Sequence, residues 1–302
     1  MNFPAIPAFQ RLVVFAAIMF MSCAVCAQST YSPPLWEIRA GENSVYLFGT
    51  IHVGKTDFYP LPASVQSAFG KSDKVALEVD PADEQAAIAA AMSAMYTPPD
   101  NIENHLEPEL LSGLIEVCAS YGIPFEQVRQ IKPYLLMFML TALEYQRLGY
   151  SPDKGLENHF ARRAQEQGKG IVALESMSAQ MQILDRLSPG LQTAMLQIAV
   201  DEISSGEVEA LVAEMVTAWR TGNMDKLGAV LLEEERRLPA AMAKEFHQRF
   251  LTERNVAMAQ QVERMLRDGE TVFVAVGAMH MVGEDGIPAI LGAKGYQVRP
   301  LR

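Results

Sequence analysis

Apolar residues along the chain fall into two kinds of run. Short continuous runs rich in β-formers occur at Val45-Tyr46-Leu47-Phe48, Val75-Ala76-Leu77-Glu78-Val79, Ile171-Val172-Ala173-Leu174 and Thr271-Val272-Phe273-Val274-Ala275-Val276, with a brief last one at Tyr296-Gln297-Val298. Runs of this length suit strands covered on both faces, which predicts a small, mostly parallel sheet flanked by helices. Trp36-Glu37-Ile38-Arg39 alternates instead, and is predicted to pair with Val45–Phe48 through the turn Ala40-Gly41-Glu42-Asn43. The second kind of run has helical spacing. It covers Ala86–Met95, Leu110–Cys118, Tyr134–Leu148 opened by Pro133, and Lys154–Gln167 stopped by Gly168. Pro189 to Arg267 shows helical periodicity alone, broken at Gly206, Gly222 and Pro239. The expected class is therefore α/β, with helical blocks at about 81–165 and 178–267 inserted around a small sheet.

The first 27 residues break this pattern. Arg11 precedes an apolar run from Leu12 to Cys26, and Val25-Cys26-Ala27 places small residues before Gln28. The run falls short of the roughly 20 residues that span a bilayer, so residues 1–27 read as a secretory signal cleaved after Ala27. An uncleaved N-terminal anchor is the alternative. The mature chain, 28–302, is expected to form one α/β domain without a membrane span, in the periplasm or outside the cell. Cys23 and Cys26 would leave with the signal. Cys118 would remain, as buried filler on a helix rather than a nucleophile.

Composition narrows the functions. Of 302 residues 49% are hydrophobic and 20% charged, which permits a sizeable core. The net charge of −11 lacks the basic surface a nucleic-acid partner needs. The 17 methionines sit mostly in the helical blocks, where methionine fills core gaps.

The informative chemistry is a repeated pattern. An apolar strand runs into Gly49-Thr50-Ile51-His52, and another into Gly277-Ala278-Met279-His280. Each is followed by a Pro-started helical stretch, at Pro62 and Pro288, and then by a further strand. The unit is β–GxxH–α–β, with a right-handed crossover. Ligands of open α/β sheets bind beyond the carboxyl ends of strands, where both histidines fall. Neutral imidazoles supply metal ligands or a general base. Glu78 and Glu175 each end an Ala-Leu-Glu run, and a carboxylate at the end of a buried strand needs a partner or a metal. Arg254-Asn255 offers a fork and an amide for a carbonyl or oxyanion. Asp80 is expected to cap the helix after Pro81, His105 and His247 to face solvent, and His159 to lie on a helix within reach of a cleft. The sequence contains no His-Glu-x-x-His, no Gly-x-Ser-x-Gly and no phosphate-binding Gly-rich loop, which disfavours zincins, serine hydrolases of that type and nucleotide enzymes.

Taken together, Gly49-Thr50-Ile51-His52-Val53-Gly54, Leu77-Glu78-Val79-Asp80, Lys132-Pro133-Tyr134, Gly155-Leu156-Glu157-Asn158-His159-Phe160, Leu174-Glu175, Gly222-Asn223-Met224, Glu253-Arg254-Asn255 and Gly277-Ala278-Met279-His280 resemble the TraB/GumN family from about Trp36 to Leu301. One departure is Glu157, where that pattern has Asp. The family is similar to the Tiki metalloproteases and more distantly to erythromycin esterases and ChaN-like proteins. The resemblance implies paired GxxH motifs that serve a divalent metal. On this reading His52, Glu78 and His280 hold Mn, Co or Zn, and Glu78, Glu175, Arg254 and Asn255 serve catalysis on a peptide or small-molecule substrate. A metal-free esterase-like enzyme with His52 or His280 as base, and a non-catalytic binder of peptide, haem or saccharide, are the competing readings.

Overall fold

The structure is a computed structural model that describes residues 31–302. The predicted signal segment, its cleavage point and Cys23 and Cys26 lie outside those residues.

Six strands form one mixed sheet: β1 (Leu35–Ala40), β2 (Asn43–Thr50), β3 (Lys74–Leu77), β4 (Gly170–Ala173), β5 (Val272–Gly277) and β6 (Gln297–Pro300), in the order β4-β3-β5-β2-β1-β6. The contiguous strands β4, β3, β5 and β2 pair in parallel. β1 runs antiparallel to both β2 and β6. The expected hairpin is present, with Ile38 opposite Val45, and Gly41 takes the left-handed conformation (φ 62°) that closes it.

The helices in chain order are α1 (Ala63–Lys71), α2 (Glu84–Ser93), α3 (Pro108–Ser120), α4 (Pro133–Arg147), α5 (Leu156–Glu166), α6 (Met177–Asp185), α7 (Pro189–Ser205), α8 (Val208–Arg220), α9 (Met224–Arg236), α10 (Ala240–Phe246), α11 (Glu253–Asp268) and α12 (Ile287–Ala293). The helical blocks therefore fall where the periodicity put them, with ends shifted by a residue or two. Pro133 and Pro108 occupy first-turn positions, where a missing N–H costs nothing.

The strand alternation sorts the core onto two faces. Tyr46, Phe48, Phe273 and Ala275 pack with Phe69, Phe160 and Trp219 on one face. Val45, Leu47, Val272, Val274 and Val276 pack with Val262, Leu266, Ile287 and Leu291 on the other. β5 is central and every one of its residues is buried. β4 departs from the expectation of a strand covered on both faces: it is an edge strand, and its residues are exposed or half-buried. Cys118 is buried in a third cluster among α3, α4 and α7, as expected of filler.

The two Gly-x-x-His segments leave adjacent parallel strands. From β2 the chain crosses through α1 to β3, passing over β5. From β5 it crosses through α12 to β6, passing β2 and β1. α1 and α12 pack against opposite faces of the sheet. Among the described residues no helix is long and apolar enough to cross a membrane.

Candidate functional site

The carboxyl ends of the four parallel strands meet at one edge of the sheet, and the sequence-predicted residues collect there. Glu78 directly follows β3, Glu175 follows β4 by two residues, His52 follows β2 by two, and Gly277 ends β5. The Glu175 N–H donates to the Glu78 carbonyl at 2.8 Å, which extends the β3–β4 pairing and sets the two glutamates side by side. Arg254 and Asn255 reach the same place from the first turn of α11. That turn follows a π-helical segment, His247–Thr252. Such wide turns recur at functional sites, since they re-aim the residues that follow them.

Arg254 is not on a solvated helix face; it is buried between the two carboxylates. Its Nη2 donates to Glu78 Oε2 at 2.7 Å and to Glu175 Oε2 at 2.7 Å, and its Nε donates to Glu175 at 3.0 and 3.1 Å. Gln180, from α6, also donates to both glutamates, at 2.9 Å to Glu175 and 3.3 Å to Glu78. The other oxygen of Glu78, Oε1, accepts from the Gly277 N–H at 2.6 Å. Burial opposes the charge on Glu78, but His280, His52, Arg254 and the Gly277 N–H outweigh it and hold the carboxyl at about 2. Glu78 is a carboxylate at neutral pH. Arg254 spends its Nε and Nη2 on these glutamates, so it fixes them in place rather than standing open to a ligand.

His280 is buried, with Nε2 3.7 Å from Glu78 Oε1. Its Nδ1 lies 2.6 Å from Asn255 Oδ1. The Asn255 amide is oriented in turn, because its Nδ2 donates to the Asp285 carbonyl at 2.8 Å. Oδ1 therefore faces His280 and can only accept, so Nδ1 carries the proton and Nε2 presents its lone pair towards Glu78. Burial pushes this imidazole down to about 4, so it is neutral at pH 7.

His52 is the open side of the site: 66% of its side chain is exposed. Its Nδ1 sits 2.9 Å from Glu157 Oε1, and Thr50 Oγ1 donates to the same oxygen. The Glu157 carboxylate raises the His52 imidazole above its usual value. Glu157 Oε2 is buried and has no partner among the described residues. The longer side chain at this position thus still reaches His52, and Glu157 belongs to the site.

The glycines of both motifs have a physical reason. A Cβ on Gly277 would sit 3.1 Å from Glu78 Oε1 and 3.2 Å from His52 Nε2. A Cβ on Gly49 would press on Ala278 and Pro34 at 3.2 Å, and the Gly49 carbonyl accepts from Trp219 Nε1 at 2.8 Å. Only a residue without a side chain lets these groups close on the strand ends.

Other expectations shift. Asp83, not Asp80, caps α2 by accepting from the Ala86 N–H; Asp80 accepts from Ala82 one turn earlier. His247 does not simply face solvent. It bridges Glu235 at 2.6 Å and Asp285 at 2.9 Å, and so ties α9 and the π-helical segment to the loop whose carbonyl holds Asn255. Among the described residues His159 has no hydrogen bond or ion pair with the two glutamates or His280; its ring packs at a tilt against Tyr59, 4.6 Å between centroids, over a separate cleft. His105 is exposed, as expected, and stacks on Tyr96. Gln180 and Thr50 escaped sequence reasoning, and neither has a local signal that would have marked it.

The donors that would serve a metal are His52 Nε2, Glu78 Oε1 and His280 Nε2. His52 Nε2 and Glu78 Oε1 converge beside Gly277, and His280 Nε2 lies 3.7 Å from that Glu78 oxygen, but among the described residues no three His, Cys, Asp or Glu side chains are grouped so as to hold a metal ion.

Comparison with known proteins agrees with the motifs. Uncharacterized protein YbaP of Escherichia coli (strain K12) is 24% identical over 251 residues, covering 83% of this chain and 89% of that protein. Metalloprotease TIKI1 of Danio rerio is 23% identical over 314 residues, covering 90% of this chain and 63% of its own length. Metalloprotease TIKI2 of Xenopus tropicalis is 22% identical, covering 87% and 59%. The chain thus spans less than two thirds of those animal proteins. No solved structure matches it. The profile of the TraB/PrgY/gumN family matches residues 34–300, from the first strand to the last, and the chain belongs to that family.

Proposed function

We propose that this protein is a metal-dependent hydrolase, a peptidase, acting in the periplasm or outside the cell after removal of residues 1–27. One observation carries the reading. His52 Nε2 and Glu78 Oε1 both lie within 3.2 Å of the position a Cβ would take on Gly277, and the lone pair of His280 is turned to the same carboxylate oxygen. Two imidazoles and one carboxylate without thiolate suit Mn, Co or Zn. The resemblance to the TIKI proteins, which are named as metalloproteases, supports the same class. The two Gly-x-x-His units are best understood as copies of one β–α–β element, since both histidines follow adjacent parallel strands and their crossovers cover opposite faces.

The divisions of labour follow from the bonds. His52, Glu78 and His280 would hold the metal, which when bound polarises a carbonyl and lowers the pKa of water. Asn255 keeps the His280 proton on Nδ1, so that Nε2 stays a donor of electrons; metal-binding histidines are commonly oriented this way. Arg254 and Gln180 keep Glu78 and Glu175 apart and Glu78 ionised. Glu157 bonds His52 Nδ1 at 2.9 Å and so would hold that ring with Nε2 turned to the metal, as Asn255 does for His280. The oxyanion role expected of Arg254 and Asn255 falls away, because Arg254 gives its donors to Glu78, Glu175 and the Phe250 carbonyl and Asn255 gives its amide to the Asp285 carbonyl, so both are positioning residues.

The test is metal content by elemental analysis, with Mn, Co or Zn reloading, in the purified protein and in His52→Ala/His280→Ala. The expected result is close to one metal per chain, lost in the double variant, and cleavage of a peptide library with the same dependence. Equal metal in both proteins would overturn the assignment. Metal binding without any cleavage would leave a metal-dependent binding protein and overturn the hydrolase.

A further inference from the structure

A second cleft lies on the other side of α5. It has a volume of about 380 Å³ and is bounded by the loop after β2, α1 and the start of α5. Its apolar wall is made by buried Leu61 and by Tyr59, whose ring packs on His159. Tyr59 is held there because its hydroxyl donates to the Lys154 carbonyl at 2.9 Å. Lys154, Arg162 and Arg163 also line the cleft, and no carboxylate does. In a chain with 36 acidic and 25 basic residues this concentration of one sign runs against composition.

Lys154 and Arg162 are exposed and Arg163 is half-buried. Among the described residues none of the three makes an ion pair with a carboxylate. The Arg163 guanidinium lies 5.4 Å over the Phe69 ring, which fixes its stem and leaves its N–H fork without an anion. Burial, then Arg163 and Arg162, push His159 down to about 4, so its ring serves at pH 7 as a neutral face beside the charges. An apolar wall with a few convergent charged groups, at a volume of several hundred Å³, has the character of a small-molecule site.

We infer that this cleft binds an organic anion, with an apolar body laid against Tyr59 and Leu61 and one carboxylate or phosphate group held by Lys154, Arg162 and Arg163. The site is distinct from the one at Glu78 and does not depend on the hydrolase reading. Helix α5 serves both. Glu157 points to His52 on one side, while His159, Arg162 and Arg163, at offsets of two, five and six residues, turn to the cleft.

The experiment is isothermal titration of the full chain at pH 7 with phenylacetate and phenyl phosphate, against benzyl alcohol and inorganic phosphate. Saturable binding of at least one aromatic anion is expected, with benzyl alcohol and inorganic phosphate at least about tenfold weaker. Arg162→Gln/Arg163→Gln should weaken that anion about tenfold or more, and Tyr59→Ala should weaken it as well. His280→Ala should leave it unchanged. Melting temperatures of all variants serve as the folding control. The preference between phenylacetate and phenyl phosphate separates a carboxylate ligand from a phosphate one. No saturable binding of either anion, or equal binding by the double arginine variant, would overturn the site. Inorganic phosphate binding as well as phenyl phosphate would overturn the apolar half of the assignment, and loss in His280→Ala would move the ligand to the other site.

Discussion

Replacing Arg254 by Met removes the guanidinium that lies between two buried carboxylates. The side chains of Arg254, Glu78 and Glu175 are 6%, 7% and 11% exposed, so water cannot take over its role. Hydrogen bonds to charged groups contribute about 1.5–3 kcal/mol each, and Arg254 bonds to both glutamates. Breaking a buried pair by deleting one partner costs about 3–5 kcal/mol, because the remaining charge is stranded. For a chain of this size that corresponds to a fall in Tm of roughly 6–20 °C. The pH dependence gives a second handle. In the native protein Glu78 is held at about 2 against an ordinary 4.5, so its contribution is present above 4.5 and fades as pH falls towards 2. Without Arg254 the folded Glu78 carboxyl rises, the penalty is largest at neutral pH, and protonation relieves it. Urea unfolding of chelator-treated wild type and Arg254→Met at pH 7 and pH 4 measures both effects. The stability gap should narrow by about 1 kcal/mol or more at pH 4. Adding Glu175→Gln to Arg254→Met should restore part of the loss at pH 7. A gap under about 1 kcal/mol at pH 7, or one that does not change at pH 4, would refute the reasoning.

Three further outcomes follow from single contacts. Gly277→Ala should leave the fold intact by circular dichroism but lower metal affinity by about tenfold or more, because its Cβ falls 3.1 Å from Glu78 Oε1 and 3.2 Å from His52 Nε2; unchanged affinity in a metal titration would contradict this. Burial lowers the His247 imidazole, but its bonds to Glu235 and Asp285 prevail and raise it, so its contribution to stability is full below the unfolded value and fades as pH rises through the folded one; His247→Gln should flatten the wild-type loss of stability on the alkaline side of about 6.5, as read by urea melts across pH 5–9. Cys118 is buried and its thiol is pushed up by burial, so it should react with a thiol-specific dye only after denaturation; fast labelling of the native protein would count against the packing of α3.

Much of this arrangement can be read from local pattern. The hairpin from Leu35 to Thr50 follows from alternation plus Gly41, and β5 from an unbroken apolar run. The helical blocks follow from periodicity and from Pro133, Pro189 and Gly206, which takes the left-handed conformation at the end of α7. His52, Glu78, Glu175 and His280 were accessible because each stands at the end of an apolar run, where a polar residue has no packing role. What was hidden depends on contacts distant in sequence. No local signal places β5 between β2 and β3, or makes Ile171–Leu174 an edge. Arg254 has the composition of a solvated helix face, and only the π-helical turn before it rotates it inward. His247 was misread for the same reason: its partners Glu235 and Asp285 lie 12 and 38 residues away. Asp83 won over Asp80 because the helix starts three residues later than Pro81 suggested.

The insertion of β5 between β2 and β3 also governs the order in which the protein can acquire its chemistry. Glu78 accepts from Gly277 across 199 residues and from Arg254 across 176. Closing loops of that length is paid in chain entropy before any contact rewards it, and such topologies fold slowly. During synthesis Glu78 and Glu175 therefore both emerge before the arginine that joins them, with a gap where the central strand belongs. The cluster at the strand ends is complete only when the last tenth of the chain threads into the middle of the sheet. A chain truncated before Val272 keeps most of its helices but loses Gly277, His280 and Asp285, so the entry of β5 acts as the step that closes the cluster around Glu78.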